Sequence, residues 1–216
     1  MDCCVHSRAT RYHEKVSQRL TAKGAATKQR IVEAAASLVR QNGASETNLD
    51  SVLAATSTSK SQLFHYWPEG RNGLLLAVAD HEADQVLAAQ RPYIDDLSTW
   101  SVWEEWRKAV MRHYIELGEH CPLGALTSEL GNFSPEARSV VSDLYDTWEG
   151  ALMHGVQALL RGDQTSADLS VRDTARSILT AIQGGVVMLR ATGRIAYLET
   201  ALNSSLQPLR VSSSAA

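Results

Sequence analysis

The hydrophobic residues of this chain recur mainly with the spacing of an α-helix, and polar turns separate the segments. One apolar stripe predicts a helix that begins near Thr27, a good N-cap, and stops at Gly43. The stripe consists of Ile31, Ala34, Ala35, Leu38 and Val39. Similar stripes cover most of the remaining sequence, so the pattern predicts an all-α fold.

The stretch 47–66 predicts two short helices joined by a polar turn. The first carries Leu49, Val52 and Leu53 on one face, and the second begins at Ser59. This second helix is too polar and too short to be a core element. Its side chains can form hydrogen bonds with phosphates and base edges. A short polar helix after a tight turn suggests a helix-turn-helix, with this helix as the recognition helix.

Five further helices are predicted beyond the turn at residues 67–70. A long one runs from about Asn72 to Gln90 and links two domains. The next is capped by Ser98 or Ser101 and ends near His120. The third starts at 134–136 and continues to about residue 160, and the fourth is capped at residue 170. The last two helices are both apolar, which favours a four-helix bundle with a second copy of the chain.

Composition narrows the class of protein. The 216 residues are 44% hydrophobic, enough for a sizeable core. No apolar run approaches the ~18 residues that span a bilayer, and the N-terminus lacks the apolar centre of a signal peptide. The cysteines Cys3, Cys4 and Cys121 form no CxxC pair, which argues against a disulfide framework or a zinc site. We therefore expect a cytoplasmic protein with reduced thiols.

Charge is distributed unevenly along the chain, although the net charge is only −3. Residues 1–76 contain ten basic and six acidic residues, whereas the remainder contains eleven basic and eighteen acidic residues. This asymmetry favours an N-terminal part that faces nucleic acid, but a split of this size can also arise by chance. Residues 1–26 carry regularly spaced basic residues and are interpreted as a flexible basic arm or a solvated tail.

The sequence contains few motifs that are typical of enzymes. The sequence contains no GxSxG, no P-loop and no HExxH motif, so we predict no catalytic site and no cofactor. His113, Glu116 and His120, with Cys121, have a helical spacing that could hold a metal ion. A solvated polar face at a helix end explains the same spacing better, and no metal site is predicted.

Aromatic residues of the second half are candidates for a ligand cavity, although ordinary core packing explains each about as well. The predicted ligand-binding residues are Trp100, Trp103, Tyr114, Leu126, Tyr145 and Trp148.

The N-terminal motifs resemble the DNA-binding domain of TetR-family transcriptional regulators. They are the helix and glycine stop of 27–43, TNLDSVLAA from residue 47, SKSQLFHYWP from residue 59 and LLLAV from residue 74. Ser57 departs from the family, which often has glycine in the turn, and 70–73 departs from the usual lysine followed by an acidic residue. The stretches CPLGALTSEL, SPEAR and AIQGG also resemble effector domains of one TetR subgroup.

The resemblance implies roles for individual residues. Lys60 and Ser61 would read bases, and Phe64 would pack toward bases or a thymine methyl group. The remaining DNA contacts, mainly to phosphates, would come from Thr47, Asn48, Ser59, Gln62, His65, Tyr66 and Arg71.

Together these features predict a flexible arm (1–26), a helix-turn-helix domain (27–75), a ligand-binding and dimerisation domain (76–210) and a disordered tail (211–216). The expected protein is a homodimeric regulator, by family default a repressor. It would bind double-stranded palindromic operator DNA and be released by a small, largely apolar effector. The alternative is a helical small-molecule-binding or enzymatic protein whose N-terminal motif does not act on DNA.

Overall fold

The computed structural model describes residues 20–118, 135–161 and 169–210. Within these ranges the chain forms eight α-helices and two short 3-10 helices and contains no strand, which confirms the predicted all-α class. The described residues form two compact units, one of 20–82 with 135–143 and one of 83–118, 144–161 and 169–210. None of the described helices is long and apolar enough to cross a membrane.

The first unit is built around a small apolar core. Its helices are α1 (Ala22–Asn42), α2 (Leu49–Thr56), α3 (Lys60–Tyr66), the part of α4 (Arg71–Ala88) up to Glu82, and the first nine residues of α6 (Pro135–Arg161). Each helix from α1 to α4 contributes apolar side chains to the core, and Val140 of α6 packs against it. The most deeply buried of these are Ile31, Ala35, Ala36, Val52, Leu63 and Val78.

Helix α1 begins earlier than the sequence predicts. Thr21 is the N-cap, and its hydroxyl oxygen accepts a hydrogen bond from the Gly24 amide at 3.1 Å. The predicted cap, Thr27, lies inside the helix, where its hydroxyl donates to the Lys23 carbonyl. Alanines near the start favour helix and extend it toward the N-terminus. Residues 22–26 therefore do not belong to the predicted flexible arm, and residues 1–19 lie outside the described ranges.

The turn between α2 and α3 contains a strained residue. Ser57 has φ 51° and ψ 36°, which is the left-handed region, and its amide donates to the Leu53 carbonyl. Because a residue with a Cβ adopts this region at a cost of about 1 kcal/mol relative to glycine, the turn is held by its surroundings. Thr56 and Thr58 on either side are buried and provide those surroundings.

The second unit has a larger core and includes the remainder of α4 and of α6. Its other helices are α5 (Trp100–Leu117), α7 (Val171–Thr192), α8 (Ala196–Leu206) and the 3-10 helices Tyr93–Asp95 and Gln207–Leu209. The core is formed from all five α-helical segments. The fully buried aromatic side chains among its described residues are Trp103, Trp106, Tyr114 and Trp148.

Helix ends in the second unit agree with the sequence at α7 and differ from it at α5. Thr99 caps α5 by accepting from the Val102 amide, so the predicted caps Ser98 and Ser101 are both wrong. Ser170 caps α7 through the Asp173 amide, and Gly193 ends that helix in the left-handed region, both as predicted. Helix α4 ends at Ala88, two residues before the predicted Gln90.

Helices α7 and α8 pack so closely that one position of α7 has no room for a side chain. A Cβ on Gly185 would lie 2.5 Å from Leu198 Cα and 2.9 Å from Leu198 Cβ. The preceding Gly184 is on the exposed side, where a Cβ would meet no atom within 4 Å. The double glycine predicted close packing or a kink, and the close packing lies at Gly185.

Candidate nucleic-acid interface

Helix α3 is anchored by one residue and exposes most of the others. Leu63 is fully buried in the core of the first unit, whereas Lys60, Ser61, Gln62 and His65 are exposed. The helix starts at Ser59, whose hydroxyl oxygen accepts from the Gln62 amide at 3.2 Å, as predicted. The burial of Leu63 and the Ser59 cap hold the helix in place, and its polar residues face solvent.

Phe64 is an apolar residue on the exposed surface of α3. Its side chain remains 38% exposed. One edge of the ring lies beside Gly70, where a Cβ would be only 3.2 Å from Phe64 Cε1, and Gly70 has φ 63°. Glycine is therefore required there both by the backbone and by the ring. The turn after α3 thus supports one edge of an aromatic ring that can still contact a partner.

Aromatic contacts orient the end of α3. Tyr66 is half-buried, and its ring meets the rings of His65 and Trp67 edge to face, with centroids 5.4 and 5.7 Å apart. Trp67 is buried, and the Lys28 ammonium lies 5.8 Å from its ring centroid. These contacts place the rings of His65, Tyr66 and Trp67 next to one another at the C-terminal end of α3.

The start of α2 presents a second polar edge. Asn48 is exposed and is the N-cap, because its side-chain oxygen accepts from the Ser51 amide at 2.9 Å. Thr47 is only 3% exposed, and its hydroxyl donates to the Gly43 carbonyl at 2.8 Å. The family resemblance implies a phosphate contact for Thr47, and in the structure its hydroxyl bond to Gly43 braces the loop before α2.

The Arg71 side chain anchors the loop that precedes α2. Its guanidinium donates to the carbonyl oxygens of Thr47 at 2.9 Å and Ser45 at 3.4 Å, and to that of Ala44. The family resemblance implies a phosphate contact for Arg71, but the structure places its donors on main-chain oxygens. Arg71 therefore acts by positioning the N-terminus of α2, where the amides lie that could meet a phosphate.

An ion pair joins α1 to α4 within the first unit. Arg40 Nη1 donates to Glu82 Oε1, and the Glu82 side chain is only 5% exposed. Burial raises the pKa of Glu82 above its ordinary value, and the nearby Arg40 and His81 oppose that rise. The sequence analysis did not find this pair, because the partners are 42 residues apart.

Five of the six predicted ligand-binding residues belong to the core of the second unit or pack against it. Trp103, Tyr114 and Trp148 are buried, whereas Trp100 and Tyr145 are half-buried. The Tyr145 hydroxyl donates to Gln183 Oε1 at 3.1 Å, and Gln183 was not among the predicted residues. Leu126 lies outside the described residues, as do His120 and Cys121.

Two surface clefts of the second unit lie away from these aromatic residues. One, of about 420 Å³, is lined by residues of 94–98 and of α6, including Asp95, Asp146 and Gly155. The other, of about 400 Å³, lies between α5 and the start of α8. Neither cleft is lined by a predicted ligand-binding residue, so the expectation of an aromatic-lined cavity is not met by these two clefts.

The described ranges contain no group of three His, Cys, Asp or Glu side chains that could hold a metal ion. His113 is half-buried, and burial lowers its pKa below the ordinary value, with Glu116 opposing. A histidine of this kind is neutral at pH 7 and packs edge to face on Tyr114.

The second half of the chain matches a known protein family. Residues 101–204 match the family described as "Transcriptional regulator LmrA/YxaF-like, C-terminal domain". A curated relative from Lactococcus lactis subsp. lactis, an "Uncharacterized HTH-type transcriptional regulator in lacX 3'region", is 23% identical over 181 residues. That match covers 81% of this chain and 88% of the relative.

Solved structures show the same fold. A TetR-family regulator from Cytophaga hutchinsonii has a TM-score of 0.75 at 20% identity, covering 88% of this chain and 98% of its own. A TetR regulator from Chloroflexus aurantiacus J-10-FL has a TM-score of 0.74 at 21% identity, covering 89% of this chain and 100% of its own. The chain therefore has the fold of TetR-family regulators, and its residues 101–204 are similar to the C-terminal domain of such a transcriptional regulator.

Proposed function

We propose that the chain is a repressor that binds a palindromic operator as a homodimer and is released by a small, largely apolar effector. The observation that carries the DNA-binding proposal is the exposed polar face of α3, held in place by Leu63 and by the Ser59 cap. A helix presented in this manner fits the major groove, and two copies related by a two-fold axis would occupy successive grooves of a palindrome.

Individual contacts follow from the positions of the side chains. Lys60 and Ser61, exposed on the first turn of α3, would read base edges, and the exposed ring of Phe64 would contact a thymine methyl group. Residues before and after the turn between α2 and α3 would bind DNA phosphates. The residues proposed for this role are Asn48, Ser59, Gln62, His65 and Tyr66.

Fluorescence anisotropy with DNA from upstream of the gene tests the DNA-binding role. Because Lys60 and Tyr66 contact DNA in this proposal, we expect Lys60→Ala and Tyr66→Ala each to weaken binding by about 10- to 100-fold. Neither residue is fully buried, so the circular dichroism spectrum of each variant should match that of the wild type.

Lys108→Ala provides the matched control, because Lys108 is an exposed lysine of the second unit that pairs with Glu105. This control should bind like the wild type. Wild-type affinity in both α3 variants would show that another helix reads the DNA. No saturable binding by the wild-type protein would favour the alternative function, in which the motif does not act on DNA.

The outer face of α7 and α8 supports the homodimer. Val187 is 62% exposed, Met188 39% and Tyr197 40%, and Gly184 leaves open space beside them. Exposed residues 180, 184, 187, 188 and 191 fall on one side of α7 at helical spacing. An apolar helix pair of this kind can form a four-helix bundle with its copy across a two-fold axis.

Substituting Val187 by glutamate should therefore shift the dimer toward monomer by at least about tenfold in dissociation constant, because two charges would be buried against each other. Light scattering during size-exclusion chromatography measures the mass. Ile115→Glu is the control, since Ile115 is 61% exposed on α5 of the same unit. If both variants remain dimeric, the interface lies elsewhere.

Release by an effector would be a shift of population between states that bind DNA and states that do not. Helix α4 is continuous from the first unit into the second, as is α6. These helices offer a direct route for such coupling. The effector can shift the balance only by its difference in affinity for the two states.

A further inference from the structure

Lys28 of α1 lies against the residue that follows α3. Its ammonium nitrogen is 5.8 Å from the ring centroid of Trp67, which is the C-cap of α3. A lysine ammonium within about 6 Å of an aromatic face is attracted by the electron-rich ring. The contact therefore places a positive charge of α1 at the C-terminal end of α3.

The spacing along α1 explains why Lys28 reaches α3. Lys28 precedes the buried Ile31 by three residues and the buried Val32 by four, so it shares their side of the helix. At 3.6 residues per turn, Lys23 and Arg30 lie more than about a third of a turn away from it, and both are exposed. Lys28 is half-buried and is directed toward the helices that pack on α1.

No carboxylate neutralises this charge in the part of the chain that the structure describes. Arg40 pairs with Glu82, and Arg71 donates to main-chain oxygens. The Lys28 ammonium, in contrast, has no ion pair and no hydrogen-bond acceptor among the described residues. An aromatic ring attracts a cation but carries no net charge, so the three donors of the ammonium remain available to an anion.

Ring contacts at the end of α3 place this charge beside two of the proposed phosphate contacts. The ring of Trp67 meets that of Tyr66 with centroids 5.7 Å apart, and Tyr66 meets His65 at 5.4 Å. The Lys28 ammonium and the Tyr66 ring thus both border the Trp67 ring. Since a DNA strand carries one phosphate on every nucleotide, a strand whose phosphate met Tyr66 would bring the next phosphate toward Lys28.

We propose that Lys28 binds a DNA phosphate next to the one that Tyr66 contacts, so that α1 adds a charged contact to those of α2 and α3. This inference rests on the proposed function, because it adds a residue to the same DNA interface. Trp67 holds the ammonium within reach of that phosphate and leaves its charge available.

A lysine that only joined α1 to the end of α3 would behave differently. Its loss would lower the stability of the first unit and leave the salt dependence of DNA binding unchanged. A lysine bound to a phosphate displaces counterions, so its loss makes binding less dependent on salt. The slope of the logarithm of the binding constant against the logarithm of the salt concentration therefore separates the two roles.

Fluorescence anisotropy with DNA from upstream of the gene, repeated at several KCl concentrations, measures this slope. Lys28→Met removes the charge and keeps an unbranched apolar side chain beside Trp67. We expect this variant to bind about three- to tenfold more weakly at about 0.1 M KCl, with a slope shallower by about 0.9. Lys28→Arg keeps the charge and should keep the wild-type slope.

Lys108→Met is the matched control, because Lys108 is an exposed lysine of the second unit. Its affinity and slope should both equal those of the wild type. If Lys28→Met binds more weakly with the wild-type slope, or changes neither quantity, Lys28 binds no phosphate and the inference is overturned. If the wild-type protein shows no saturable binding, the proposed DNA-binding function fails and this contact fails with it.

Neutral methylphosphonate linkages locate the contact on the DNA. Each linkage removes the charge of one phosphate from the shortest duplex of the same fragment that still binds. At one position in each half-site, the linkage should weaken the wild type by about three- to tenfold and leave Lys28→Met unchanged, because the cation is already absent. At the linkage that Tyr66 contacts, both proteins should lose affinity equally. Equal losses for both proteins at every position would show that Lys28 contacts none of these phosphates.

Discussion

Replacing Gly185 by alanine should destabilise the second unit by about 1–3 kcal/mol, the usual cost of an added methyl group in a closely packed core. The new Cβ would lie 2.5 Å from Leu198 Cα, which belongs to a helix backbone and cannot move aside as a side-chain end could. Relief requires α8 to shift away from α7. Urea denaturation followed by circular dichroism would measure the loss of unfolding free energy.

The neighbouring Gly184→Ala should have the opposite effect. Its Cβ would meet no atom of its own chain within 4 Å, and alanine in a helix interior is more favourable than glycine by about 1 kcal/mol. The two substitutions are adjacent and chemically identical, so helix propensity cancels in their difference. Equal unfolding free energies would contradict the close approach of α7 and α8.

Replacing Arg40 by alanine should destabilise the first unit by about 2–3 kcal/mol at pH 7. The substitution leaves the Glu82 carboxylate, only 5% exposed, without its cationic partner. The figure is at the low end for buried pairs because the Arg40 side chain is itself 34% exposed. Thermal and urea denaturation of the variant would measure the effect.

The loss at Arg40→Ala should shrink as the pH falls. Burial raises the pKa of Glu82 above 4.5, and removing Arg40 removes an opposing influence, so the pKa rises further. A carboxyl with a raised pKa favours the folded state below its unfolded pKa and opposes folding as the pH rises through the folded value. The double variant Arg40→Ala, Glu82→Gln should lack this pH dependence. A loss that is constant between pH 5 and 8 would contradict this account of the pair.

Local features of the fold could be predicted from the sequence, because they depend on residues close together in the chain. Ser59 and Ser170 are caps as predicted, and Ile31 and Val39 of the apolar stripe are buried. The N-cap of α1 lies six residues before the predicted Thr27, since the Ala-rich segment before Thr27 carries no apolar stripe yet favours helix.

The candidate site could be predicted only in outline. Exposure of Lys60, Ser61 and Gln62 follows from the pattern around Leu63. The role of Arg71 could not be predicted, because its acceptors are main-chain carbonyls more than twenty residues away that no side-chain pattern reveals. The same applies to the contact of Tyr145 with Gln183, which are 38 residues apart.

Arg71 donates its hydrogen bonds to main-chain oxygens within the first unit. This affects how DNA binding would depend on salt concentration. Counterions released from DNA scale with the number of protein cations that meet phosphates. Helix α3 carries one lysine, Lys60, and its other proposed contacts are mostly hydroxyl, amide and phenol groups. A face of this composition relies on directed hydrogen bonds more than on charge. Complex formation by this helix would therefore tolerate high ionic strength better than that of a lysine-rich helix.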